Sequence, residues 1–149
     1  MAQASNRRRA QTAADRFAKL AIRRGISLGA LQSASRNDFV LVLAAAARGF
    51  AAGRAYSERE VNEILRGFLG APGAMLATDH VELRRWLVDF HLLERDGFGR
   101  IYTTGIPAPE FAVAAAQLAA VDLTALAGEA RAREAAARAE RKQRWEKAR

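Results

Sequence analysis

The chain has no cysteine, three prolines and two histidines among its 149 residues. The missing thiols exclude disulfides and thiolate-held metals, and they fit a cytoplasmic protein. Neither His80 nor His91 has a second histidine three or four residues away, so a helical imidazole metal site has nothing to build on. No apolar run approaches the roughly 20 residues that a membrane span requires. The opening stretch, MAQASNRRRAQTAADRFAKL, is basic but has no apolar segment behind the charges, so it does not read as a secretory signal. Also lacking are a glycine-rich phosphate loop, a nucleophile elbow and a histidine–carboxylate metal motif. These absences point to a binding protein rather than an enzyme, with no cofactor, no metal and no membrane partner expected.

What is present is positive charge, unevenly spread. The net charge is +8. Residues 1–24 carry seven basic side chains and one acidic, whereas residues 55–105 carry six basic and eight acidic. An excess of this sign suits an anionic partner such as nucleic acid. Arginine outnumbers lysine 21 to 3, beside abundant alanine, a pattern that also reads as a coding bias toward Ala and Arg.

Large apolar residues concentrate between Phe39 and Tyr102, which places the core there. Residues 1–9 are polar and basic and read as disordered. Residues 10–24 read as a helix with Ala13, Phe17, Leu20 and Ala21 on one face. Gly25 to Asn37 reads as a connection. Asn37 or Asp38 can cap a helix bearing Phe39, Val42, Leu43, Ala46 and Phe50 at helical spacing. Ser57-Glu58-Arg59-Glu60 has capping-box spacing, and Val61, Ile64, Leu65 and Phe68 follow as an apolar stripe. Gly70 to Gly73 stops that helix. Asp79 and Glu82 repeat the cap-plus-acid pattern before Leu83, Trp86, Leu87 and Phe90. Asp96-Gly97 and Gly99 then signal a β-hairpin. Beyond Pro107 and Pro109, Phe111, Ala114, Ala115, Leu118 and Val121 make another helical face. From Gly128 the chain is nearly all Ala, Glu, Arg and Lys. It has i, i+4 pairs Glu129–Arg133, Glu134–Arg138 and Glu140–Arg144, but almost nothing to bury.

Three helices and a hairpin, in that order, predict a winged-helix-like module. The fold expected is mainly α with a small β-hairpin, with the module flanked by N- and C-terminal helices. The organisation expected is a basic arm over 1–24, the module over 37–105, and C-terminal helices over 106–149. The blocks Tyr56–Leu65 (YSEREVNEIL) and Asp79–Phe90 (DHVELRRWLVDF), followed by Glu94-Arg95-Asp96 and Tyr102, resemble the bacterial family known as domain of unknown function 2087. The likeness runs from about Phe39 to Thr104. Members occur alone and fused to helix-turn-helix regulators, so the resemblance implies a link to transcriptional control by association. It brings no activity and no catalytic residue. Within it, Tyr56, Ser57, Glu60, Asn62, Asp79, His80 and Asp89 stand as signature or structural positions.

Candidate nucleic-acid contacts are Arg84 and Arg85 on the third helix, Arg95 and Arg100 flanking the hairpin, and Arg7, Arg8 and Arg9 in the arm. Arginines meet phosphates and guanine edges through the same forked donors. The opposing reading pairs Arg85 with Glu82 or Asp89, and Arg84 with an acid on the Ser57–Phe68 helix. Val81 and Val88 project away from the core stripe and need cover from another helix or a partner. Two functions follow. One is a winged-helix DNA-binding transcriptional regulator. The other is a protein-interaction module, as a homodimer or the partner of another regulator.

Overall fold

A computed structural model describes residues 2–149. The elements run α1 (Ala2–Ala21), α2 (Leu28–Ala34), α3 (Arg36–Ala47), β1 (Tyr56–Ser57), α4 (Glu58–Gly70) and α5 (His80–Asp89). They continue with β2 (Leu93–Arg95), β3 (Ile101–Thr104), α6 (Pro109–Leu118) and α7 (Leu123–Lys147). The protein is mainly helical, with one small antiparallel sheet of order β1-β3-β2. From α3 to β3 the order is helix, strand, two helices and a hairpin, which is compatible with a winged helix.

The centre is α3. Every side chain from Phe39 to Ala46 is buried, so this helix is apolar on all sides and must be enclosed. Its cap is Ser35, whose hydroxyl accepts from the Asp38 amide at 3.3 Å, rather than Asn37 or Asp38. Helices α1, α2, α5 and α6 pack around it. The resulting core runs without a break from Ala13 on α1 to Ala127 on α7. Phe39 anchors one end, meeting Trp86 and Phe90 edge-on at centroid distances of 5.4 and 5.1 Å.

Three segments differ from the sequence reading. Residues 2–9 are helical and exposed where described rather than irregular, because α1 continues outward from its anchored half at Ala13, Phe17 and Leu20. Met1, expected to share the disorder, lies outside the described residues. The segment between Gly25 and Asn37 holds α2, with Ile26, Leu28 and Leu31 buried. Ile26 also exchanges backbone hydrogen bonds with the α4–α5 connection, from its amide to the Met75 carbonyl (2.9 Å) and from the Ala77 amide to its own carbonyl (2.8 Å). The third difference is α7. Its first turns bury Leu123, Ala127 and Ala130, and the two alanines let it lie close against α1.

Arg131 then fixes α7 in place. Its Nε donates to the Ala21 carbonyl at 3.1 Å, its Nη1 to the Ala71 carbonyl at 2.7 Å, and its Nη2 to the Pro72 carbonyl at 3.3 Å. Ala21 ends α1 and Ala71 follows the end of α4. One guanidinium therefore meets the last carbonyl of α1 and two carbonyls just past the end of α4, near the negative poles of both helices. Of the three tail pairs expected, Glu134–Arg138 forms at 3.6 Å, and Glu134 also meets Arg141 at 3.1 Å. The other two do not close among the described residues.

Replacing Arg131 with Ala should destabilise the fold by about 2–4 kcal/mol, since hydrogen bonds from charged donors contribute about 1.5–3 kcal/mol each and are not additive. Arg131→Lys should recover less than half of the loss, because an ammonium cannot span three carbonyls. Chemical denaturation reads both. An alanine variant as stable as the wild type would remove this role.

Candidate nucleic-acid interface between α5 and the wing

The candidate site begins with two helix starts that the sequence specifies locally. The Ser57 hydroxyl accepts from the Glu60 amide at 3.1 Å, and the Glu60 carboxylate accepts from the Ser57 amide at 3.2 Å. This is the complete capping box of α4. Arg54 also meets Glu60, at 3.0 Å. At α5, the Asp79 carboxylate accepts from the Glu82 amide at 2.8 Å. His80 Nε2 lies 3.3 Å from Arg66 Nη2, so this histidine sits against a cation rather than in an acidic cluster. Among the described residues no group of three or more His, Asp or Glu could hold a metal.

The β2–β3 hairpin stands where a winged helix carries its wing and is called the wing below; two features hold it against α5. After α5 the chain reverses at His91, which takes a left-handed φ of 63°. The Leu92 amide then donates back to the Leu87 carbonyl at 2.9 Å. Gly105 ends the hairpin so close to this turn that a Cβ there would stand 2.3 Å from the His91 carbonyl oxygen. At the tip, the Asp96 carboxylate accepts from the Arg100 amide at 2.8 Å. That amide holds the Asp96 carboxyl below its usual range, with the Ile101, Phe98 and Gly99 amides adding to it. The Ser57 amide does the same for Glu60, helped by the Ser57 hydroxyl and Arg54.

Strand β1 had no clear sequence signal, being two residues long. It nonetheless closes the sheet, pairing Tyr56 with Tyr102. The Tyr56 hydroxyl accepts from the Ala51 amide at 2.7 Å, and its ring meets Phe50 edge-on at 5.2 Å. Tyr56 is therefore a core post between α3 and the sheet.

Between α5 and the wing lies a cleft of about 240 Å³, lined by Val81, Arg84, Arg85, Val88, Asp89, Arg95 and Tyr102. Its arginines are not equivalent. Arg84 Nη1 lies 2.6 Å from Asn62 Oδ1 and 3.0 Å from Glu58 Oε1, both on α4. Its guanidinium carbon sits 5.9 Å from the centre of the Tyr102 ring, and its side chain is 17% exposed. Arg84 thus ties α5 to α4 and β3, with its Nη1 committed to α4. Arg85 and Arg95 are exposed and have no carboxylate within 4.0 Å among the described residues. Asp89 shares their cleft without closing an ion pair, and Glu82 instead accepts from the Trp86 indole at 3.3 Å. Arg100 is exposed at the wing and lies outside the cleft lining. Arg7, Arg8 and Arg9 are exposed on the outer half of α1 and do not join the cleft. Val88 is half-buried within it, while Val81 remains 42% exposed.

Residues 32–104 match the family described as an uncharacterized protein conserved in bacteria, DUF2087. The match spans the end of α2 through β3, so both signature blocks and the whole α5–wing cleft fall inside it. No curated protein and no solved structure matches the chain. Within the DUF2087 stretch, Tyr56, Ser57, Glu60, Asn62, Asp79 and Arg84 all have structural partners on the chain itself. Arg131 and the α7 contacts lie outside it. Among the described residues no single helix is long and apolar enough to cross a membrane.

Arg84→Ala should cost about 1–3 kcal/mol of stability, leaving Asn62 and Glu58 without their donor. Arg85→Ala should stay within about 0.5 kcal/mol of wild type, as exposed substitutions do. Denaturation midpoints compare the two, and equal effects would refute the division of roles.

Acid should loosen the wing tip and the α4 cap. Both Asp96 and Glu60 have depressed pKa values, so their contribution is present above the unfolded pKa and is lost as pH falls through the folded one. Amide exchange at Arg100, corrected for its intrinsic rate, should keep its protection through the ordinary carboxylate range, lose it only as pH falls below that range, and be unprotected at any pH in Asp96→Ala. Protection that stays constant through the acid range would contradict this.

Proposed function

We propose that the DUF2087 stretch binds duplex DNA as a winged helix and serves in transcriptional regulation, without catalysis. The observation that carries this reading is the cleft between α5 and the wing, where Arg85 and Arg95 stand exposed and unpaired from two different elements. In a winged helix these elements face the major groove and the adjacent backbone. Arg84 is then a positioning residue. Its bonds to Glu58 and Asn62 set the angle of α5 against α4.

Charge limits the reading. Residues 32–104 carry nine basic and nine acidic side chains, so the stretch as a whole does not attract phosphate. Binding must come from a few well-placed arginines and from the basic flanks. Each neutralised phosphate contributes about 0.9 to the slope of log affinity against log salt.

A second reading has its own support. Phe98 at the wing tip is 84% exposed, Ile101 48% and Val81 42%, close in sequence to Asp79, Glu82 and Asp96. Apolar residues set among acids suit a protein surface better than a phosphate backbone. That reading makes the stretch a protein-interaction module, as a homodimer or the partner of another regulator.

The test is duplex binding by fluorescence anisotropy from about 50 to 200 mM salt. Wild type should bind with a steep salt dependence, and Arg85→Ala and Arg95→Ala should each lower the slope by about one. Absence of binding at low salt, together with a stable dimer by light scattering, would transfer the assignment to protein interaction.

A further inference from the structure

A second basic surface lies away from the α5–wing cleft, where the end of α1 meets α7. A groove of about 550 Å³ runs there, with Arg23, Arg24 and Arg138 on its rim and Ala21, Ile22 and Met75 among its apolar lining. A neighbouring opening between the same helices adds Lys19 and Arg133. Glu134 is the one acid lining either opening, and it is already shared by Arg138 and Arg141. Arg131 is spent on backbone carbonyls. The other five cations around these openings therefore face a single carboxylate.

Past Arg138, α7 leaves the body. Every residue from Arg138 to Arg149 is exposed, and Arg141, Lys142, Arg144 and Lys147 face only Glu140 and Glu146 in that stretch. The one large apolar residue there is Trp145, 60% exposed.

The shape selects the ligand. Small-molecule sites bury about 70–90% of their ligand. Here Arg23, Arg24, Ala74, Ala135 and Arg138 are all exposed, so the groove is a shallow track rather than a pocket. From Arg131 to Lys147 the helix spans about 24 Å, the rise of about seven base pairs. Exposed cations spread around the helix from Arg133 to Lys147 fit an extended polyanion.

We propose that the end of α1 and the distal half of α7 bind the phosphodiester backbone of duplex DNA without reading its sequence. This rests on the DNA reading of the α5–wing cleft and adds a second contact to it. The cations that meet the backbone are Arg23, Arg24 and Arg133, which have no carboxylate within 4.0 Å among the described residues, and Arg138 and Arg141, which share the single carboxylate of Glu134. Arg7–Arg9, exposed on the outer half of α1, do not line either opening.

The test uses the full chain, a labelled random-sequence duplex of about 30 base pairs and a salt titration. The variant Arg23→Gln/Arg24→Gln/Arg138→Gln/Arg141→Gln alters only exposed side chains and keeps Arg131; circular dichroism checks the fold. It should lower the salt slope by about three to four. Arg85→Ala/Arg95→Ala is measured in parallel. If the quadruple variant keeps the wild-type slope while the double variant weakens binding, the α1–α7 surface is refuted and the cleft stands. If the quadruple variant loses binding while the double variant is unaffected, the surface stands and the cleft reading fails. Trp145 fluorescence separates a different occupant. A blue shift on phosphatidylglycerol vesicles, with no duplex binding, would overturn the proposal in favour of a lipid surface. No binding to either would overturn it outright.

Discussion

A helix with eight consecutive buried side chains needs apolar cover on every side. Phe39 to Ala46 impose that constraint, and the three-helix module cannot meet it alone. Helix α5 covers one side with Trp86 and the neighbouring Phe90, and α1, α2 and α6 cover the others. The flanking helices are therefore part of the same core, which passes from Ala13 to Ala127. The position of the wing follows from this packing. It is set by α5 and by β1, and both rest on elements that enclose α3.

Arginine is the commonest charged residue of this chain, and its members do different work. Arg16 meets Asp38 at 2.7 Å and joins α1 to α3. Arg36 pairs with Glu110 across to α6 and lies over the Phe90 ring, and the same carboxylate raises its pKa. Arg84 joins α5 to α4, and Arg131 joins α7 to the ends of α1 and α4. Each of these side chains is held by partners on another element. Others, among them Arg85, Arg95, Arg23 and Arg24, face solvent. The net charge of +8 counts both groups alike, whereas only the second can meet an external phosphate.

Local signals were legible wherever the physics is local. The capping box at Ser57–Glu60 and the Asp79 cap each depend on atoms three residues apart, and both formed at the expected positions. The hairpin at Asp96–Gly99 likewise follows from its own turn residues. Strand β1 was not legible, because two residues carry no periodicity and it exists only by pairing with β3. Helix α2 was hidden by its glycine and serines, yet its Ser27 cap and its buried Leu28 and Leu31 make it a helix once α3 supplies a surface. The pairing of Arg84 with α4 was visible as one of two alternatives, and only the approach of Glu58 and Asn62 chose between them.

The sequence by itself determined the helix starts, the hairpin turn, the absence of thiol chemistry and the total charge, since each depends on composition or on neighbours within one turn. Tertiary structure alone decided how far the core extends and which arginines are free. Burial and ion pairing depend on residues tens of positions apart, as Arg131 with Ala21 and Ala71 makes plain. No local pattern distinguishes a guanidinium that closes such a gap from one that waits for a ligand.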